Sequence, residues 1–248
     1  GVVTKIKYNY DNSMLYTCII VLQPEIAELA YSRRTRVWSN IKPSDIVRTI
    51  LKDSLFKPPQ VMLYKEQNFL EYKIQYQESD LAFINRVLSE AGIYYFFVHN
   101  KDQHIMTLAD NPASHPKAPY DKLEHLPGEN LKESHHGYIS EWSFTESLKY
   151  PAVTLTGYNE SNEITIKSES KVTDVKSSKG IYEDIIPEGK RELIKERSEV
   201  LMASCDSELK IWSGKTNSWW LSCGERFSLD KQDYRITSLY LNDVNNDT

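Results

Sequence analysis

The chain has 248 residues, 40% hydrophobic and 26% charged, and its 30 basic and 35 acidic side chains give a net charge of −5. That length serves one large or two modest domains with a sizeable core, and the acidic balance argues against a nucleic-acid partner, whose phosphates want a basic face. No apolar run approaches the ~18 residues of a membrane span, and the opening residues do not read as a signal peptide, so none is expected there. It begins Gly1-Val2-Val3-Thr4 without an initiator methionine, which is expected of a processed protein or a piece of a longer one.

Taken in order, Tyr16 to Leu22 (YTCIIVL) reads as a strand closed by Pro24, which cannot donate to a sheet ladder. A helix is predicted over Pro43 to Phe56, with Ile46, Val47, Ile50, Leu51 and Leu55 on one stripe and Lys57-Pro58-Pro59 as its stop. Tyr72, Ile74 and Tyr76 alternate as a strand does. Ser79 then stands at an N-cap with Asp80 in the first turn, and Leu81, Phe83, Ile84, Val87 and Leu88 form an apolar face. Gly92 suits the left-handed residue that ends a helix. Ile93 to Val98 and His104 to Leu108 read as a hairpin about a turn at Asn100 to Gln103. The whole forms a β-α-β-β unit with both faces of Ile93–Val98 buried.

Asp110 to Asn130 holds Pro112, Pro116, Pro119, Pro127 and Gly128 and reads as a connector and domain boundary. Strands are predicted beyond it at Tyr138 to Phe144, Ala152 to Tyr158, Glu163 to Lys167, Leu209 to Trp212, Trp219 to Cys223, Arg226 to Leu229 and Tyr234 to Tyr240. One helix runs from about Gly189 to Ser204, with Leu193, Ile194, Arg197, Val200, Leu201 and Cys205 on one side. The polar tail Asn242 to Thr248 is expected to fray.

Chemistry-bearing motifs are scarce. The six histidines (His99, His104, His115, His125, His135 and His136) cluster, but without HExxH spacing or a nearby cysteine. A metal site and a set of polar loop histidines remain the two readings, with no metal ligand assigned. Cys18, Cys205 and Cys223 contain no CxxC pair and fit reduced, partly buried thiols, a Cys205–Cys223 disulfide being the alternative. GxSxG, P-loop and dinucleotide fingerprints are absent. Glu183-Asp184 is one of many acidic pairs and no special glycosidase dyad. No catalytic or cofactor-binding residue is assigned, and no cofactor is expected. Arg33-Arg34-Thr35-Arg36 is either a short binding patch or a solvated strand or turn. Adjacent Trp219 and Trp220, in a strand, point to opposite faces, so one of them meets a partner or the sheet is covered on both sides.

The stretch QYQESDLAFINRVLSEAGIYYFFVH resembles the signature of the VgrG spike proteins of type VI secretion and of the related late-control gene D and tail-hub proteins of contractile phages. Gln75, Tyr76, Glu78, Ser79, Asp80, Phe83, Arg86, Glu90, Gly92, Ile93, Tyr95, Phe97 and His99 carry it. His104 to Asp110 is similar to the following strand of that family, and Pro43-Ser44-Asp45-Ile46-Val47 to its helix start, with shorter spacing. Ile139 to Phe144 and Val153 to Tyr158 resemble its paired strands. Gly224 to Leu229 with Tyr234 to Thr237 is similar to its last strands before an oligonucleotide-binding-like module. The family's Tyr-Pro-Gly is here broken into Tyr182-Glu183-Asp184-Ile185-Ile186-Pro187-Glu188-Gly189.

The resemblance implies an α+β fold of two barrel-like antiparallel β elements with an α/β insertion, the first barrel incomplete. Residues 1–41 belong to the first element, 42–126 to the α/β subdomain, and 127–248 to the second element with its helix. It implies a structural, non-enzymatic hub of a homotrimeric spike seated on a hexameric Hcp-like tube, with a tip protein or effector joined through parts beyond this chain. It further implies assembly in the bacterial cytoplasm followed by ejection. The alternatives are a hydrolytic effector, with its histidine among residues 99–136, and a carbohydrate-binding module using Trp219 or Trp220.

Overall fold

The computed structural model describes residues 1–10, 16–100, 103–126, 137–147, 150–159, 164–171, 182–186 and 189–241. The chain divides into two compact units, Gly1–Ser114 and His115–Thr248.

In the first unit, β1 (Val2–Tyr10) and β2 (Tyr16–Gln23) form an antiparallel pair. A 3-10 helix, Glu25–Tyr31, leads into β3 (Arg34–Ile41) and α1 (Pro43–Asp53). Then come β4 (Gln60–Met62), β5 (Leu70–Glu78), α2 (Asp80–Glu90), β6 (Tyr94–Asn100) and β7 (Gln103–Ala109). β3 pairs with β5, and β4, β7 and β6 form a separate sheet in that order. The predicted β-α-β-β unit is thus split, since β5 leaves its helix for one sheet and the hairpin belongs to another. β6 is the edge of its sheet, and Tyr94 to Val98 are half-buried rather than buried on both faces.

The core of this unit lies between the two helices and the strands. Ile46, Val47, Ile50 and Leu51 of α1 meet Phe83, Ile84, Val87 and Leu88 of α2, closed by Ile26, Leu29, Ile93, Met106 and Leu108. Leu55 is not on the α1 stripe; it is 94% exposed with φ 63°. α1 stops at Asp53 in a Schellman turn, in which the Leu55 N–H donates to the Lys52 carbonyl and the Phe56 N–H to the Leu51 carbonyl at 2.9 Å. Leu55 takes the left-handed position usually given to glycine, and Phe56 packs back onto the core in its place.

α2 ends in the same way. The Gly92 N–H donates to the Ser89 carbonyl and the Ile93 N–H to the Leu88 carbonyl, with Gly92 at φ 68°. Gly92→Val is expected to destabilise this unit by about 2 kcal/mol, because a β-branched residue is strained in that conformation. Melting and soluble yield check it, and unchanged values would refute the glycine's role as the helix stop.

In the second unit, β8 (Lys117–His125), β9 (Tyr138–Glu146), β13 (Lys210–Thr216), β14 (Arg226–Leu229) and β15 (Gln232–Arg235) make one sheet in the order β13-β9-β8-β14-β15. β10 (Ala152–Asn159), β11 (Ile164–Lys171) and β12 (Tyr182–Ile186) make another, in the order β11-β10-β12, on which α3 (Arg191–Ser207) packs. The connector expected at Asp110 to Asn130 therefore contains a strand. The α+β class stands, with no closed barrel among the described residues, and the sheets mix antiparallel pairs with parallel ones such as β8–β9 and β10–β12.

The buried ridge of α3 is Ile194, Ser198 and Met202. Ser198 Oγ donates to the Lys195 carbonyl and shares hydrogen bonds with the hydroxyls of Ser168 and Ser170, so a polar residue sits dry without loss. Trp219 to Cys223 is a turn region, not a strand, and so the opposite-face argument for the two tryptophans lapses. Trp219 is 78% exposed, while Trp220 packs on the core beside Tyr120, ring centres 5.3 Å apart.

Candidate functional site

The signature stretch builds a polar knot on one side of α2. Ser79 Oγ accepts from the Ala82 N–H at 3.1 Å and caps the helix. Asp80, fully buried, receives the Gln75 side-chain amide at 2.7 Å on Oδ1. Its Oδ2 lies 3.2 Å from Arg34 Nε and 3.9 Å from Arg36. The Oδ2 contacts are ionic in distance without hydrogen-bond alignment, and Gln75 Oε1 has no hydrogen-bond partner among the described residues. The Asp80 N–H donates to Ser32 Oγ, fixing the segment ahead of β3 as well. The basic run Arg33-Arg34-Thr35-Arg36 is thereby largely accounted for. Arg34 and Arg36 face Asp80, Arg36 also meets Asp53, and Arg33 Nε donates to the Gln77 carbonyl.

A second layer uses the other signature charges. Arg86 pairs with Glu78 and Glu90, donates to the Ile74 carbonyl at 2.8 Å, and lies over the Phe83 ring. The Glu78 hydrogen bond, against the opposing effect of burial, raises the Arg86 pKa above its ordinary value. Glu90 also pairs with Lys73 of β5. Tyr95 donates to Asn85 Oδ1 at 3.1 Å, and burial pushes its phenol upward. The knot joins β3, β5 and α2 and contains no nucleophile–histidine pair. Its chemistry is that of a fastening.

The other sequence candidates scatter. His99 and His104 are cross-strand partners in β6 and β7, His115 is buried in the second unit, and His125 ends β8. His135 and His136 lie outside the described residues, as do 187–188 of the broken Tyr-Pro-Gly, whose Tyr182–Ile186 forms β12, and 101–102 of the predicted turn. Among the described residues no group of three metal-type side chains converges. All three cysteines are free, which removes the Cys205–Cys223 bond. Cys18 and Cys223 are exposed rather than partly buried, and Cys205 is half-buried as expected.

Sequence reasoning missed the bare apolar face of the β1–β2 pair. In its register, Val3, Ile6, Tyr8, Ile20 and Leu22 share one side, all well exposed, with Leu22 at 68%. The outward face of β3–β5 carries Val37, Tyr72, Ile74 and Tyr76, also exposed. An isolated two-stranded sheet is marginal in water, and contiguous apolar patches mark contact surfaces. The alternation of Ile6 and Tyr8 against Lys5 and Lys7 was the available signal.

A family model for the phage tail baseplate hub (GPD) matches residues 1–241. The chain belongs to that family. Among relatives of this hub chain, the type VI secretion system spike proteins VgrG1b and VgrG1c of Pseudomonas aeruginosa are 24% and 25% identical to it over 160 residues. Those matches cover 64% of this chain and 22% of each relative, so the hub chain spans about a fifth of their length. Among solved structures, a type VI secretion component of E. coli superposes with a TM-score of 0.63 at 18% identity, covering 96% of this chain and 54% of that one. A tail protein of Neisseria meningitidis gives 0.66 at 9% identity, covering 92% and 69%. At these identities the structural likeness is one of fold. The hub chain is thus an α+β tail-hub fold, as its signature stretch leads one to expect.

Proposed function

We propose that this chain is the hub region of a homotrimeric spike that caps the tail tube of a contractile injection machine of the type VI secretion or phage kind. The observation that carries the reading is the hub family match across residues 1–241. The bare β1–β2 face supports it, since an apolar strand surface of this kind is at home in an obligate assembly. On this reading the role is structural, with no residue assigned to catalysis, a cofactor or a metal. Force passes through fastened sheets such as the Asp80 knot. The tube partner is a hexameric Hcp-like ring matched by two β elements per subunit, and a tip protein or effector joins through other parts of the protein. Assembly takes place in the bacterial cytoplasm and is followed by ejection.

The test is the mass of the full-length protein by light scattering. A trimer is expected, and Ile20→Asp with Leu22→Asp is expected to dissociate it while circular dichroism stays unchanged. A monomer at micromolar concentration, or a trimer indifferent to both substitutions, would overturn this reading or its interface respectively.

A further inference from the structure

The hairpin of β6 and β7 sets two histidines against each other. In its register His99 stands directly opposite His104, between the pairs Val98–Ile105 and Asn100–Gln103. Side chains opposite one another in a ladder leave the same face, with Cβ atoms ~5 Å apart. The two imidazole rings accordingly lie with their centres 6.3 Å apart and their planes inclined at 42°. Phe97 is two residues from His99 and so on the same face, and it meets the His104 ring edge-on with centres 5.5 Å apart. That contact seats His104, which is half-buried, whereas His99 is exposed.

Neither ring is fastened through its nitrogens. Among the described residues the contacts of His99 and His104 are ring contacts, and no hydrogen bond or ion pair reaches either one. His115 makes the contrast, since its Nδ1 shares a hydrogen bond with the Gly224 carbonyl at 2.7 Å. A neutral imidazole carries one nitrogen lone pair that can accept a proton donor or a metal. In the hairpin two such lone pairs stand side by side with no protein partner.

We propose that His99 and His104 form a two-histidine binding site for a divalent transition-metal ion of the zinc class. Imidazole nitrogen suits zinc, nickel and copper, while magnesium and calcium take oxygen ligands. Two nitrogens held ~2.1 Å from a tetrahedral zinc ion put their ring centres ~5 Å apart. The observed 6.3 Å exceeds this by about 1 Å, which a side-chain rotation of the exposed His99 supplies. The pair provides two ligands, where structural zinc takes four and catalytic zinc three. This agrees with the lack of a third converging metal-type side chain among the described residues. Water fills the other positions, so the ion is exchangeable rather than resident. Lys57 and Glu25 line the groove beside His104; the lysine donates to Gln103 Oε1, and the glutamate brings the opposite charge. The bound ion clips the edge strand β6 to β7, and the site does not depend on the hub assignment.

The experiment titrates the untagged full chain with zinc chloride, with magnesium chloride at equal concentration as the control for general cation effects. A saturable rise in Tm is expected with zinc alone, together with movement of the ring resonances of both His99 and His104. Hydrogen exchange of the β6 and β7 amides beside the pair is expected to slow. His99→Gln and His104→Gln each leave a single ligand. Each is expected to weaken apparent zinc affinity at least about tenfold, because the second nitrogen no longer binds from within the same molecule. His104→Gln also disturbs the Phe97 contact, so the exposed His99→Gln decides the matter if that variant is less stable. No saturable effect beyond magnesium, movement of one ring without the other, or undiminished zinc affinity in His99→Gln would each overturn the site.

Discussion

Asp80→Ala is expected to lower the stability of the first unit by about 3 kcal/mol. The carboxylate is fully buried and is the meeting point of Gln75, Arg34 and Arg36. Its loss strands the buried Gln75 amide, which keeps only a longer contact of 3.2 Å to the Glu78 carbonyl. It also removes a negative charge from the first turn of α2, where the helix dipole favours one. The cost falls short of the largest values for a broken buried pair, ~5 kcal/mol, because the Arg34 side chain is 45% exposed and can hydrate, while Arg36 retains Asp53 at 3.3 Å. Arg34→Gln should for the same reason cost under about 1 kcal/mol. Urea unfolding, with hydrogen exchange of the α2 amides to localise the loss, measures both. An Asp80→Ala protein within about 0.5 kcal/mol of wild type would mean that the knot holds nothing together.

What the sequence disclosed about this region was local. Ser79, the α2 face and Gly92 were legible because capping, periodicity and left-handed glycine are written within a few neighbouring residues. The partners of Asp80 were not, since Arg34 and Arg36 arrive from a different strand and only the pairing of β3 with β5 brings them there. Leu55 misled because nothing in composition marks a leucine that takes a glycine's place at a helix end. β8 was hidden by Pro119. A proline inside a strand normally argues against one, but here it falls where the β8–β14 register breaks, between Lys117 and Lys122, so no ladder hydrogen bond is demanded of it. Trp219 to Cys223 shows the opposite error, in which aromatic residues of high strand propensity are placed in a turn by tertiary packing of Trp220 and Leu221.

The largest single loss is expected from Phe83→Ala, about 4 kcal/mol. Phe83 is a fully buried side chain at the centre of the helix–helix core, stacked on Trp38 with ring centres 6.2 Å apart and tilted by 22°. Truncation removes that contact and opens a cavity whose walls belong to two helices and a strand. Polar fastenings beside it on α2, between Arg86, Glu78 and Glu90, resist the shift that would close it. Arg86 also loses the ring beneath its guanidinium, 5.2 Å away. Leu81, on the same helix but only half-buried, provides the comparison, and Leu81→Ala should cost no more than about half as much. The two variants differ in which side of α2 they empty, so their ratio reports the helix's orientation rather than its propensity. Equal losses in urea unfolding would mean that the buried face of α2 is not the one that carries Phe83, and the core described between the two helices would have to be redrawn.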